Sequence, residues 1–135
     1  MAPRTPGATS CGASAREKAE LVVLATNPLF PMVGQRSRLS WIGLTPEDFD
    51  LVTAYETDCF CKPNPAYFLD VCRRIGVEPE QCVMIGNDET EDMAAATAAG
   101  IKTCFLITDC RIAGEAGWEG PQGTFSQMLD WLRAL

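Results

Sequence analysis

The sequence predicts an α/β fold, a Rossmann-like parallel sheet with flanking helices. Three short, mainly apolar runs, at residues 21–25, 82–85 and 102–107, are typical of strands buried on both faces. Amphipathic stretches separate these runs, and strands that alternate with helices favour a parallel sheet. In such sheets ligands bind beyond the carboxyl ends of the strands, so the residues after each run are the first to consider.

Local start and stop signals predict the first helices. Residues 34–42 are expected to form a short helix that stops at Gly43. The stretch Thr45-Pro46-Glu47-Asp48 combines a cap, a proline and first-turn acids, which together begin a helix. A short strand is expected within residues 49–54.

The later elements follow the same signals. Asn64-Pro65 opens a helix whose apolar residues recur at helical spacing until Gly76. Asp88 begins an alanine-rich helix that ends at Gly100. Residues 114–123 contain four glycines and one proline and are expected to form a loop, after which Thr124 caps a last helix.

The chain has 135 residues, the length of one domain. Residues 21–135 are expected to form a partial α/β core domain. Residues 1–20 are dominated by Ala, Pro, Gly, Ser and Thr, with no acid before Glu17, and are expected to be a disordered or unrelated N-terminal segment. A transit peptide and a wrongly assigned start are the alternatives.

Composition excludes several classes of function. The net charge of −7 disfavours nucleic acid and anionic membranes as partners, and the apolar runs are too short to span a bilayer. The absence of histidine excludes His-based triads and His-ligated metals. The cysteines include no CxxC pair and fit reduced thiols of a cytoplasmic protein; they are Cys11, Cys59, Cys61, Cys72, Cys82, Cys104 and Cys110.

The segment 86–92 carries the strongest chemical signal, with four carboxylates within five residues after a predicted strand. Asp88 and Asp92 share one face of a helix and repel each other unless a cation lies between them. Mg²⁺ suits such a pair because it prefers carboxylate, water and phosphate oxygens. The alternative is a capping box, with Asp88 at the N-cap and Glu91 three positions later.

Three further residues lie near predicted strand ends. Lys62 precedes a rigid Pro-Asn-Pro turn and offers a point charge for a phosphate or another oxyanion, although a solvated loop lysine is the plainer interpretation. Thr26 and Asn27 follow the first strand, where a hydroxyl and an amide suit phosphoryl oxygens. Each of them is also a common turn residue.

Taken in order, these segments resemble the haloacid dehalogenase-like (HAD) hydrolase superfamily over residues 20–135. Residues 21–27 look like its second motif, Lys62-Pro63 like its third, and 84–88 with Asp92 like its fourth. The resemblance implies that Thr26 binds the transferring phosphoryl group and that Lys62 neutralises phosphate and nucleophile. It also implies that Asp88 and Asp92 serve Mg²⁺ directly or through water.

The sequence departs from the first motif of that family, an Asp-x-Asp whose first aspartate is the nucleophile. The 25 residues before Thr26 contain no aspartate and leave no room for a cap domain. Asp48-Phe49-Asp50 has the right spacing but follows a helix start, so we interpret it as structural. Without the first strand of the family, the strands at 21–25 and 83–85 are expected to have unpaired edges. Either the two strands close up on each other, or the native protein is longer, or another chain supplies the strand; a truncated chain is favoured, and self-association is an expected consequence of exposed edges.

The resemblance therefore predicts an Mg²⁺-dependent phosphatase for a small phosphorylated metabolite, inactive or weak as this truncated chain. Lys62 and Thr26 are the predicted catalytic residues, and Asn27 joins them in binding substrate. Asp88 and Asp92 are the predicted metal ligands. The alternative is a non-catalytic, Mg²⁺-binding α/β interaction module; a nucleotide-binding domain is disfavoured because neither GxGxxG nor GxxxxGK[ST] occurs.

Overall fold

The computed structural model describes residues 19–135. Its contacts divide these residues into two compact units, one formed by residues 19–59 with 132–135 and the other by residues 60–131. The expected domain of residues 21–135 remains a prediction. The expectations for Cys11 and for nearly all of the segment 1–20 lie outside the described residues.

The first unit contains two short parallel strands and one helix. Strand β1 (Val23–Leu24) leads to helix α1 (Met32–Ser40), and a single 3₁₀ turn (Pro46–Asp48) precedes strand β2 (Leu51–Val52). The pairing of β1 with β2 is parallel. Gly43, with φ of 79°, supplies the left-handed residue that ends α1, as predicted.

The predicted strand at residues 21–25 was too long and too deeply buried. Only Val23 and Leu24 pair as a strand, and both are half-buried rather than fully buried. Among residues 19–135 their sheet has two strands, and the ladder ends after two pairs. The predicted helix at Thr45 is likewise reduced to one turn, because the chain becomes extended at Phe49.

The second unit is a three-stranded parallel sheet with helices. Helix α2 (Pro65–Ile75) and a 3₁₀ turn (Pro79–Gln81) precede strand β3 (Val83–Gly86). A π-helical segment (Glu89–Ala94) then runs into α3 (Ala95–Ala98). Strands β4 (Thr103–Ile107) and β5 (Gln122–Gly123) and helix α4 (Phe125–Arg133) follow.

The sheet of the second unit has the order β3-β4-β5, with Met84 opposite Cys104 and Leu106 opposite Gln122. Its core contains side chains that are at most 1 % exposed: Tyr67, Met93, Leu106 and Met128. The Tyr67 and Phe68 rings pack edge to face, with their centroids 5.0 Å apart. The prediction of a parallel α/β sheet is therefore confirmed.

Two local predictions in this unit need correction. The segment 114–123 is not wholly a loop, since Gln122 and Gly123 pair with the end of β4. The helix after Asp88 begins with π-type rather than α-type hydrogen bonding. Within residues 19–135, no helix has both the length and the apolar character needed to cross a bilayer.

Candidate active site

Lys62 lies just before α2, where local sequence holds the backbone firmly. Its peptide bond to Pro63 is cis, and the Asn64 backbone N–H donates to the Cys61 carbonyl (3.0 Å). Asn64 then caps α2 by accepting a hydrogen bond from the Ala66 N–H (3.0 Å), with Pro65 at the first helical position. The predicted helix start is confirmed, and it fixes the point from which the lysine side chain extends.

The Lys62 side chain ends on Asp92, thirty residues later in the chain. Its Nζ lies 2.6 Å from Asp92 Oδ1, and the two side chains are only 9 % and 6 % exposed. The other oxygen, Asp92 Oδ2, accepts the backbone N–H groups of Asn87 (3.1 Å) and Asp88 (3.2 Å). Because these amides directly follow β3, the ion pair lies at the carboxyl end of that strand.

Asp88 is the N-cap of the helical segment that follows β3. Its Oδ1 accepts the backbone N–H groups of Thr90 (2.9 Å) and Glu91 (2.8 Å). The capping interpretation of Asp88 is therefore confirmed, but the reciprocal bond expected from Glu91 is made by Asp92, which receives the Asp88 N–H. Both carboxylates thus accept backbone N–H groups, which offsets part of the repulsion expected between them.

A second ion pair in this segment, between buried Glu89 and exposed Arg111, was not predicted. The Glu89 side chain is 1 % exposed, pairs with Arg111 and accepts the Gly114 N–H (2.6 Å). The same loop is held by the Asn87 side-chain amide, which donates to the Cys110 carbonyl (2.9 Å). Sequence reasoning treated Glu89 as one member of an acidic cluster, and no local pattern links it to a loop twenty-two residues away.

Thr26 and Asn27 belong to the first unit and follow β1. The backbone of Thr26 is held on both sides by Thr53, whose hydroxyl accepts the Thr26 N–H (3.0 Å) and donates to the Thr26 carbonyl (2.5 Å). Thr53 is fully buried, and Gln35 donates to its carbonyl (3.2 Å). Thr53 is thus a positioning residue that the sequence did not single out, because a threonine after a strand carries no distinctive signal.

Thr26 also lines a cavity of about 320 Å³ within the first unit. The other residues that line this cavity are mostly apolar or aromatic: Leu24, Gln35, Arg38, Leu39, Trp41 and Ile42. Asn27 lies at the following turn, where its carbonyl accepts the Leu29 N–H (2.8 Å).

The one Asp-x-Asp of the sequence has a structural role. Asp48 accepts the Thr45 N–H (2.7 Å) and completes a capping box in the 3₁₀ turn, while Asp50 accepts the Val22 N–H (2.7 Å). Neither residue follows the end of a buried strand, where the family places its nucleophile. The interpretation of this pair as structural agrees with these contacts.

The residues after β3 suit Mg²⁺ in kind but supply few ligands. Asp88 Oδ2 accepts no hydrogen bond from the described residues, so one hard carboxylate oxygen is available there. Both oxygens of Asp92 are already engaged by Lys62 and two amides. Over residues 19–135, no group of three or more acidic or sulfur side chains is placed to hold a metal ion.

The buried lysine–aspartate pair lies at the carboxyl end of a strand in a parallel α/β sheet, which is where folds of this class bind their ligands. The sequence matches the family described as haloacid dehalogenase-like hydrolase over residues 5–100. Because this match covers most of the 135 residues, the chain belongs to that family.

Relatives and solved structures agree with this assignment. The chain is 38 % identical over 61 residues to glyceraldehyde 3-phosphate phosphatase of Methanothermobacter thermautotrophicus, a match to 45 % of this chain and 27 % of that protein. It is 36 % identical over 75 residues to bovine haloacid dehalogenase-like hydrolase domain-containing protein 2, covering 53 % and 29 % of the two chains. These matches span less than a third of either relative.

The crystal structure of a HAD phosphatase from Thermococcus onnurineus superimposes with a TM-score of 0.74 at 25 % identity. This superposition covers 95 % of the present chain and 57 % of that one. The predicted family and fold are therefore confirmed, and phosphatases are found among the relatives. The roles predicted for Thr26, Asn27, Lys62, Asp88 and Asp92 stay predictions.

Proposed function

We propose that the chain carries the lysine- and aspartate-bearing part of a HAD-like phosphohydrolase that acts on a small phosphomonoester. The observation that carries this proposal is the buried Lys62–Asp92 pair at the carboxyl end of β3. An ammonium group held in a largely water-excluded site stabilises developing negative charge more strongly than one in bulk water. A structural role alone would be served at least as well by apolar residues, since buried ion pairs contribute little net stability.

Each side chain has a separate task in the proposed reaction. The Lys62 ammonium neutralises phosphoryl oxygens, and Asp92 holds that ammonium in place. Thr26, whose backbone is fixed by Thr53, offers a hydroxyl to the phosphoryl group, and Asn27 offers an amide. In this proposal none of these groups makes the new bond to phosphorus, and that step is left to a carboxylate nucleophile.

The reaction itself is a double displacement at phosphorus. A carboxylate oxygen attacks the phosphorus, the ester P–O bond breaks, and the alcohol leaves with a proton from a general acid. Water then attacks the acyl phosphate and releases inorganic phosphate, which regenerates the carboxylate. Since Asp48 and Asp50 are engaged in backbone contacts, we expect these 135 residues alone to hydrolyse phosphate esters poorly or not at all.

Mg²⁺ is the cofactor we propose for this site. Asp88 would hold it through Oδ2, and Asp92 would serve it through water because its own oxygens are engaged. When bound, the ion adds positive charge beside the phosphoryl oxygens. Further oxygen ligands would come from water, from the phosphate and from the nucleophile segment.

The test is to supply the missing motif. The first strand and Asp-x-Asp of a related HAD phosphatase are fused ahead of residue 21, and p-nitrophenyl phosphate hydrolysis is measured with Mg²⁺. We expect hydrolysis that exceeds that of the unfused chain by about 100-fold or more, as transition-state charge stabilisation implies. The matched control carries Asn in place of the first Asp and should be inactive. A folded fusion no faster than this control would refute the enzymatic proposal.

An interaction module is the second candidate function. It is favoured by the sheet edges at β1 and β3, each of which pairs with one strand among residues 19–135. Such edges suit pairing with another chain or a second copy. This proposal predicts that the unfused chain is stabilised by Mg²⁺ and that Asp88→Asn with Asp92→Asn abolishes the effect, whereas fusion confers no hydrolysis.

A further inference from the structure

Two thiols of the second unit are in contact. Cys72 lies in the last turns of α2, and Cys82 immediately precedes β3; their sulfur atoms are 3.7 Å apart. Cys72 is 4 % exposed, whereas Cys82 is half-buried and thus reachable by a small solute. Ten positions separate them in sequence, so their contact depends on the turn that joins α2 to β3.

The hydrogen bonds give the two thiols different roles. Cys82 Sγ donates to the Glu78 carbonyl (3.5 Å), a contact that lies on the exposed side of the pair. Burial, reinforced by Cys82, raises the pKa of the Cys72 thiol to about 12. Cys72 therefore stays protonated at neutral pH, and the half-buried Cys82 is the sulfur that meets an oxidant first.

We propose that Cys72 and Cys82 form a reversible disulfide when the protein is exposed to hydrogen peroxide. In the first step Cys82 attacks a peroxide oxygen as its thiolate, the O–O bond breaks, and the departing hydroxide takes up the thiol proton, so that Cys82 sulfenic acid and water form. In the second step Cys72 Sγ attacks Cys82 Sγ, the S–O bond breaks, and the departing hydroxide takes the Cys72 proton as water. Two thiols are oxidised by two electrons, and one peroxide is reduced to two waters.

The intervening segment suits this bond. Between the two cysteines the chain passes Gly76, which is left-handed with φ of 73°, and the 3₁₀ turn Pro79–Gln81. The disulfide would tie the end of α2 to the start of β3 across this short segment and would limit the freedom of the unfolded chain. We therefore expect the oxidised protein to melt at a higher temperature than the reduced protein and to revert with dithiothreitol.

Cys104 provides an internal control for this proposal. It is 2 % exposed and its thiol donates to the Ile101 carbonyl (3.4 Å), and burial raises its pKa as well. No second sulfur is bonded to it among the described residues. If burial alone decided whether a thiol is oxidised, Cys72 and Cys104 would behave alike. The proposed disulfide consumes the Cys72 thiol and leaves the Cys104 thiol intact.

The experiment uses the full chain with Cys11, Cys59, Cys61 and Cys110 replaced by serine, which leaves three of the seven cysteines. After millimolar peroxide treatment, remaining thiols are alkylated under denaturing conditions and the protein is mapped by mass spectrometry. We expect the thiol count to fall from three to one, the intact mass to fall by two hydrogens, and residues 72 and 82 to be linked. Unmutated protein is mapped in parallel, so that misfolding of the variant does not obscure the result.

The matched control adds Cys82→Ser to the same background. This variant should keep both remaining thiols under the same treatment, since Cys72 is then without its reactive neighbour. Alkylation of both Cys72 and Cys82 after peroxide would overturn the proposal, as would oxidation of Cys82 to sulfinic acid while Cys72 remains a thiol. The experiment does not involve phosphatase activity, so it fails or succeeds independently of the proposed function.

Discussion

Replacing Lys62 by methionine is expected to lower the free energy of unfolding by about 3–5 kcal/mol, the loss typical when one partner of a buried ion pair is removed. Asp92 would keep its two backbone hydrogen bonds, but its charge would remain buried at 6 % side-chain exposure without the ammonium that faces it. Urea unfolding followed by circular dichroism measures this loss.

Two further variants establish the cause of the stability loss in Lys62→Met. Arg36→Met removes an ion pair of similar length with Glu47, but both of those side chains are more than half exposed, so little change in stability is expected. Adding Asp92→Asn to Lys62→Met removes the unpaired negative charge of Asp92. This double variant should recover part of the lost unfolding free energy. A loss for Lys62→Met no larger than that for Arg36→Met would contradict the buried pair.

The second large effect is expected for Gly86→Ala. A Cβ at residue 86 would lie 2.4 Å from Asp92 Oδ2 and 2.6 Å from Asp92 Cβ, closer than real contacts allow. Asp92 cannot easily move aside, because Lys62 and two backbone amides hold it. Overpacking of this kind costs about 1–3 kcal/mol or more, and displacing Asp92 adds the loss of its ion pair.

Gly34→Ala is the matched control for this substitution. Its new Cβ would meet Phe30 Cβ at 3.5 Å, an ordinary contact, and the position lies inside α1, where alanine is favoured by about 0.5–1 kcal/mol over glycine. Chemical denaturation of both variants should therefore show a large loss for Gly86→Ala and none for Gly34→Ala. Equal stability of the Gly86→Ala variant and the parent would contradict the close approach of Asp92.

Much of the second unit could be predicted from sequence, because its signals are local. Asn64-Pro65 and Gly76 bound α2 in the structure, as their capping chemistry implies. Ligand sites in such folds lie beyond strand ends, and this rule pointed to Lys62 and to residues 86–92. In the structure Lys62 forms an ion pair with Asp92, a member of that segment. That contact joins the segment before α2 to the turn after β3.

Other features depend on tertiary contacts that no short window contains. Strand β5 has two residues in a glycine-rich stretch and exists only through its pairing with Leu106 and Ile107. Glu89 is buried because Arg111 and the Gly114 amide reach it from a later loop. The capping partner of Asp88 was misassigned because the π-type turn brings Asp92, rather than Glu91, back to its backbone.

The most direct test of the central claim asks whether Lys62 handles phosphate or merely packs. In the Asp-x-Asp fusion, Lys62→Arg keeps a positive charge beside Asp92 but replaces a compact ammonium by a planar, forked cation. We predict that phosphate release from p-nitrophenyl phosphate falls by about 10-fold or more while the melting temperature changes little, because charge placement in the transition state contributes several kcal/mol. An unchanged rate in a folded Lys62→Arg fusion would contradict the claim.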